Sequence, residues 1–407
     1  MGCLPNEILL QIFDLAFAPP QPTSDAYAVD YRPLLACSLV CRQWHQCTES
    51  YLWRNANFLC APTTHDGEDT ICQYKLPRFG MSLQTSATCD MPLGNLVTVL
   101  SMEIGTQYVP DYNDQGLLSG SFTVIKHVDP LSFAHVVAMC PRLLRLHLTV
   151  HDEITSTDGF DSECLYLLRK AIRLEHLSLD DRHNGTGVTA QLLSTWRRLR
   201  TLRVRMLRFS TRAVPVYMAL EALHLERAPS PAFVTYLLYS HSIIKTITLE
   251  LLDDYTQCFL TFRASLRELM VRRHREFEED SPARQTYLAK LELPKLERLR
   301  VFVIDQLTDP GLLAMLPASI DTFGFNPRHT RDPGVILGHL RKRPNVRTLM
   351  MPWRARTDPD TCATVQPLRE YCRANNVRLE FASLVIWEPT NWNTPIPYEH
   401  GPSAPSI

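Results

Sequence analysis

The sequence predicts an α/β chain in two parts. A small three-helix module stands at the N-terminus, and a solenoid with one curved parallel sheet, flanked outside by helices, follows it. Two observations predict the solenoid: an apolar-x-x-apolar-x-apolar pattern recurs from residue 143 at a mean spacing of about 26 residues, and Asp-Pro pairs open helical stretches between its later copies. A third predicts the N-terminal module: residues 4–17 carry two adjacent apolar rows at helical spacing and stop at Pro19-Pro20.

Composition narrows the function classes. The 407 residues are enough for two domains, and 45% hydrophobic with 21% charged residues is ordinary globular usage. Acidic and basic residues nearly cancel, 43 against 42, which disfavours general nucleic-acid binding. No run of 18 apolar residues offers a membrane span. Asn6 stands where N-myristoylation wants Ser or Thr. The 12 cysteines contain no C-x-x-C pair, and Cys37, Cys41 and Cys47 sit in an apolar run. Buried thiols in a reducing compartment, cytoplasmic and/or nuclear, are expected.

In the first helix, Ile8, Ile12 and Leu15 form one row and Leu9, Phe13 and Phe17 the other. Together they are wider than one small core needs. A polar stretch, 21–31, predicts a loop. A second helix is expected from Pro33 through Cys47, with Ala36, Val40 and Trp44 on one face, and a third short segment carries Tyr51, Leu52 and Trp53. A module of about 50 residues buries too little surface to be stable alone, so a partner is expected.

The blocks L-P-x-E-I-L-x-x-I-F, L-x-x-C-S-L-V-C-R-x-W and L-W-R stand in this order over residues 4–58. They are Leu4, Pro5, Glu7, Ile8, Ile12 and Phe13, then Leu34, Cys37 to Arg42 and Trp44, then Leu52 to Arg54. This order resembles the F-box, with a longer loop than usual between the first two helices. The early start and the inserted loop are similar to the large F-box families of mushroom-forming fungi. The resemblance implies docking on a Skp-family adaptor and, through it, on a cullin–RING ubiquitin ligase of the SCF type. It implies that Leu4, Pro5, Ile8, Ile12, Phe13, Val40, Cys41, Trp44 and Trp53 build the adaptor-binding surface and its support.

The repeat reads LLRLHL at 143–148, LEHLSL at 174–179, LRTLRV at 199–204, LEALHL at 220–225, IKTITL at 244–249 and LRELMV at 266–271. It continues as LERLRV at 296–301, with weaker copies at 320–325, 346–351 and 374–379. In each copy the last two apolar residues alternate, as in a strand buried on one face. Asp309-Pro310, Asp332-Pro333 and Asp358-Pro359 predict an N-cap followed by proline at the first helical position. The repeats resemble the degenerate leucine-rich repeats commonly joined to an F-box. The expected organisation is therefore an F-box at 1–58, an irregular linker and early repeat region at 59–139, a leucine-rich repeat-like solenoid at 140–387 and a Pro-rich tail at 388–407. Within the linker, Val97, Leu100 and Met102 predict an early strand, and Gly105 to Gly120 a long loop.

Residues between the apolar positions should line the concave face. His147, Arg203, Arg205, Glu226, Glu250, Arg272 and Arg300 are the candidates for holding a protein substrate; Arg205 and Glu226 are also placed to pair across neighbouring strands. The cluster Arg197, Arg198, Arg200, Arg203, Arg205 and Arg208 offers phosphate contacts, or simply solvated charge. Cys37, Cys41 and His45 span about 12 Å of a helix, too far for three ligands of one ion, so no metal is expected there. Cys140 with His147 is a weak nucleophile pattern without a third partner. No G-x-S-x-G, H-E-x-x-H or Gly-rich phosphate loop is present, and no catalytic residue, metal or cofactor is assigned. The expected function is a non-catalytic substrate adaptor of a ubiquitin ligase; the alternative is a repeat scaffold for protein interactions not linked to ubiquitination.

Overall fold

The structure is a computed structural model that describes residues 5–16, 32–58, 71–89, 92–112, 118–151, 159–182, 187–206, 218–225, 243–251, 261–273, 292–305, 310–327, 333–356 and 359–382. The expected tail at 388–407, the loop at 21–31, Leu4, Arg208 and Glu226 lie outside them.

The N-terminal module contains α1 (Asn6–Ala16), α2 (Arg32–Ser38) and α3 (Arg42–Arg54). The expected single helix from Pro33 to Cys47 is two. The Ser38 hydroxyl donates to the Leu35 carbonyl at 2.6 Å, and the Leu39 and Val40 amides close tight turns onto Ala36 and Cys37. Cys41 is extended, with φ −163°, so the chain turns before α3 begins. The break also separates Ala36 and Val40 from Trp44. Leu9, Phe13 and Cys47 form a small core, flanked by Leu10, Cys37, Trp44 and Tyr51. Phe13 packs edge-on against both Trp44 and Tyr51, with ring centroids 5.6 and 5.9 Å apart. The Tyr51 hydroxyl donates to the Leu10 carbonyl at 2.8 Å and ties α3 to α1.

The α3 helix runs directly into β1 (Asn55–Phe58), the first strand of a 12-stranded sheet. The other strands in this sheet are β2 (Val99–Ile104), β5 (Arg145–Val150), β6 (His176–Asp181), β7 (Thr201–Met206), β8 (Ala222–Leu225) and β9 (Thr246–Leu251). They continue as β10 (Glu268–Arg273), β11 (Val301–Ile304), β12 (Thr322–Phe325), β13 (Thr348–Pro352) and β14 (Arg378–Ala382). All neighbours pair in parallel and in chain order. Helices α4 (Ile71–Ser86), α5 (Pro130–Ala138), α6 (Ser162–Leu168) and α7 (Gly187–Thr195) lie in the connections of the first half. Helices α8 (Pro310–Met315), α9 (Pro333–Arg341) and α10 (Pro359–Ala374) lie in those of the second. The sheet is curved and does not close. A helix is about 10 Å wide and a strand needs about 4.8 Å, so stacking one of each per unit bends the sheet with the strands inside.

The apolar repeat is the core. Leu143, Leu174, Leu199, Leu220, Ile244 and Leu266 are fully buried at the turn before their strands, and the fourth and sixth positions of each unit are buried beneath them. Helices α5 and α6 are capped by the residue before them: the Asp129 and Asp161 carboxylates accept from the Ser132 and Cys164 amides at 2.9 and 2.7 Å. Helices α8, α9 and α10 start at the prolines of the three Asp-Pro pairs. The Trp196 indole donates to the Leu168 carbonyl at 3.1 Å and bridges consecutive units. Cys140 is fully buried and its thiol is pushed up to about 12 by desolvation, so it packs rather than reacts.

Three expectations are corrected. Gly105 to Gly120 is not a long loop: most of it belongs to an antiparallel hairpin, β3 (Thr106–Tyr112) with β4 (Leu118–Lys126). Gly105 enters it at φ 92°, a conformation that costs glycine nothing. The unit expected at 296–301 begins at Leu299. Leu293–Lys295 form a short turn closed by the Leu296 amide on the Leu293 carbonyl, and Val301 is the residue that pairs with Glu268. Leu296 and Leu299 are both apolar and three apart, so the pattern alone fits either start. The copy expected at 374–379 begins at 376 instead: Asn376 sits at φ 55° past the end of α10, and half-buried Leu379 and Phe381 stand opposite the buried Leu349 and Met351.

One outcome follows for stability. Leu177, fully buried between neighbouring units, should cost about 2–5 kcal/mol when changed to Ala, and exposed Leu144 should change stability by less than about 0.5 kcal/mol. Denaturant unfolding of the two variants measures both.

Candidate functional site

Two surfaces gather the sequence-predicted site residues. The first is on the N-terminal module. The two rows of α1 part company: Leu9 and Phe13 are buried, whereas Ile8 and Ile12 are 41% and 42% exposed. The α2–α3 corner adds Leu35 at 51%, Leu39 at 86% and Val40 at 62% exposure. Pro5 and Cys41 are also exposed. Five large aliphatic side chains on one small helical unit are a heavy load of apolar surface, of the kind that marks a contact site. Phe13 and Trp44 are the packing beneath α1 rather than part of that surface. Trp53 stacks on Phe79 of α4, with centroids 5.4 Å apart, and Phe58 meets Phe79 edge-on at 4.9 Å. Trp53 therefore joins the helical unit to the start of the sheet. Leu35 and Leu39 were not among the predicted surface residues; their signal in the sequence is an i, i+4 apolar spacing beside the Ala36–Val40 face.

The second surface is the face of the sheet opposite the leucine core. Register places one residue per strand in its central row: Asn57, Ser101, His147, Ser178, Arg203, His224, Thr248, Met270, Val303, Gly324, Met350 and Glu380. The row is polar through Thr248 and apolar from Met270 to Met350. Gly324 keeps it low, because a Cβ there would press on Val303 and Met350. Arg203 is 2% exposed, so it is a buried centre of charge and not a free surface cation. Half-buried His147 and His224 flank its neighbourhood, and the His224 Nδ1 lies 2.9 Å from the Thr248 hydroxyl. Arg205 lies one row away and approaches buried Asp180 at 3.6 Å; Arg182 binds the same carboxylate oxygen at 2.8 Å. Among the described residues, Arg205 thus reaches Asp180 on the preceding strand, and its expected cross-strand partner Glu226 lies outside them. Glu250 and Arg272 are in register on β9 and β10. Arg300, one residue before β11, is not on the sheet face, because the unit begins at Leu299.

Arg300 belongs to the rim formed by the turns that enter the strands. There the amides of Glu175, Arg200, Glu221 and Lys245 each donate to the carbonyl of the preceding unit. On this rim Glu221 takes Arg200 and Lys245, each at 2.7 Å. These two hydrogen bonds hold the Glu221 carboxyl below its ordinary value. The predicted arginine cluster is therefore split: Arg197, Arg198 and Arg200 line a groove of about 600 Å³ at the rim, and Arg203 and Arg205 belong to the sheet face.

Desolvation, with the field of Arg203, holds both His147 and His224 down to about 4, from an ordinary 6.5. They are neutral in the fold, while the unfolded chain takes up their protons near pH 6.5. Their contribution to stability is complete above about pH 6.5 and is lost as the pH falls towards about 4. The thermal midpoint should drop between about pH 7 and about pH 5, and the pair His147→Asn with His224→Asn should make that drop shallower. Calorimetry across this pH range measures it.

Residues 1–59 match the F-box-like family model. No curated protein matches the chain. Among solved structures the chain is similar to the one described as "Crystal structure of Rad7 and Elc1 complex in yeast", at 12% identity, over 85% of this chain and 88% of that one, with a TM-score of 0.34. That likeness is too distant to bear on function. The N-terminal helices, with their exposed Ile8, Ile12, Leu39 and Val40, thus lie in an F-box-like domain that leads into a parallel-sheet solenoid.

Proposed function

We propose that the chain is the substrate-recognition subunit of a cullin–RING ubiquitin ligase, bound to a Skp-family adaptor through residues 1–59 and to a protein substrate through the solenoid. The observation that carries this reading is the match of residues 1–59 to the F-box-like family, on the same residues that expose an unpartnered aliphatic surface. Such a subunit works by holding two partners close: the ubiquitin-conjugating enzyme performs the chemistry, and tethering raises the effective concentration of its target. The substrate would meet the sheet face and its rim, where half-buried polar groups give way to Met270, Val303 and Met350. The subunit would act in the cytoplasm and/or nucleus. No helix among the described residues is long and apolar enough to cross a membrane.

The adaptor interface is tested with exposed residues, whose change leaves the core intact. Burying one such aliphatic side chain contributes about 1.5–3 kcal/mol, so Ile8→Asp with Val40→Asp should weaken binding to a purified Skp-family adaptor by well over tenfold. Circular dichroism should be unchanged, and cullin should be lost from co-purification along with the adaptor. Undiminished adaptor binding by the folded double variant would refute the docking surface, and adaptor binding without cullin would favour the scaffold alternative.

A further inference from the structure

Where the hairpin leaves and rejoins the solenoid, Glu103 near the end of β2, His127 just after β4 and His151 just after β5 converge. His127 Nδ1 and His151 Nε2 each lie 3.2 Å from the same atom, Glu103 Oε2. The two rings are nearly parallel, 8° apart, with centroids separated by 4.2 Å. The histidine side chains are 3% exposed and that of Glu103 13%.

These positions are held by the backbone rather than by chance rotamers. The Val128 amide donates to the Glu103 carbonyl at 3.3 Å, the His127 amide to the Gly105 carbonyl at 2.9 Å, and the His151 amide to the Ile104 carbonyl at 2.9 Å. All three side chains are thus anchored to the same three residues, 103–105. Four ligands at about 2.0–2.1 Å around a tetrahedral ion stand about 3.3 Å from one another. The two N···O distances are already at that spacing, and a turn of one imidazole about its Cβ–Cγ bond, out of the stack, directs both nitrogen lone pairs at one ion. The Arg182 guanidinium, the cation whose field reaches His127, is bound to Asp180 and turned to a different carboxylate.

We propose that Glu103, His127 and His151 form a binding site for one divalent transition-metal ion, zinc by preference, that clasps the β3–β4 hairpin to the solenoid. Two imidazoles and a carboxylate suit zinc among first-row ions, and water completes the tetrahedron. The near-complete burial of both rings fits a structural clasp. It joins three segments far apart in the chain, so metal binding stabilises the fold by mass action. This site is independent of the ligase reading, and its test uses none of that reading's partners.

The test takes the full chain stripped with chelator and titrates it with Co²⁺, then Zn²⁺. One equivalent should bind at micromolar concentration, giving visible bands of a tetrahedral nitrogen–oxygen site without a thiolate charge-transfer band. Zinc should raise the thermal midpoint by several degrees. His127→Ala with His151→Ala should abolish both effects, and Glu103→Gln should weaken binding at least tenfold. The proposal is overturned if the folded wild-type chain binds no stoichiometric metal. It is equally overturned if the spectrum shows thiolate ligation, or if the double variant binds as well as wild type. Because wild type alone decides the first two outcomes, the test survives a variant that fails to fold.

Discussion

Each unit of this solenoid owns an apolar face that only its neighbour can cover. The rungs Leu143, Leu174, Leu199 and Leu220 do this in sequence, each buried before its strand begins, with the fourth and sixth residues of the unit behind them. Everything else is arranged around that constraint. Parallel pairing follows because each connection must return to the same end of the sheet, and curvature follows because the connections are bulkier than the strands. One core cluster therefore runs from Ala56 to Cys372, whereas the core of the N-terminal helices is a separate cluster around Leu9, Phe13 and Cys47.

That separation shapes the N-terminal surface. A core this small can absorb one row of α1 but not two, so Leu9 and Phe13 go in and Ile8 and Ile12 stay out. The break at Cys41 does the same for the second helix, leaving Leu39 and Val40 on an exposed corner while Trp44 and Tyr51 turn to Phe13. Trp53 and Phe79 anchor the other end to the sheet. The helical unit is thus fixed at one end and apolar along its free side, the geometry of a module that presents a contact surface on a stiff support.

On the sheet the same economy of burial sets the chemistry. Polar side chains opposite the leucines are not simply solvated: Asp180 and Arg203 are nearly inaccessible, and His147 and His224 are desolvated enough to stay neutral. Among the described residues, more exposed charge lies on the rim, where Arg200, Glu221 and Lys245 pair across consecutive turns. Among the described residues, the sheet face offers chiefly shape and hydrogen bonding, and the rim offers charge.

The sequence by itself determined the features that repeat or that depend on near neighbours. The leucine period, the Asp-Pro helix starts, the helical phase of residues 6–16 and the F-box-like order were all legible there, because each rests on local periodicity or capping. What needed the tertiary structure was every choice between locally equivalent options. Leu296 and Leu299 satisfy the repeat equally, and only pairing of Val301 with Glu268 selects the second, which moves Arg300 from the sheet face to the rim. Ile8 and Leu9 are equally apolar, and only packing against α3 decides which is buried. Glu103, His127 and His151 stand too far apart in the chain for any motif to link them. Parallel strand pairing and the return of the hairpin bring them together, since proximity across a sheet is set by register and not by sequence distance.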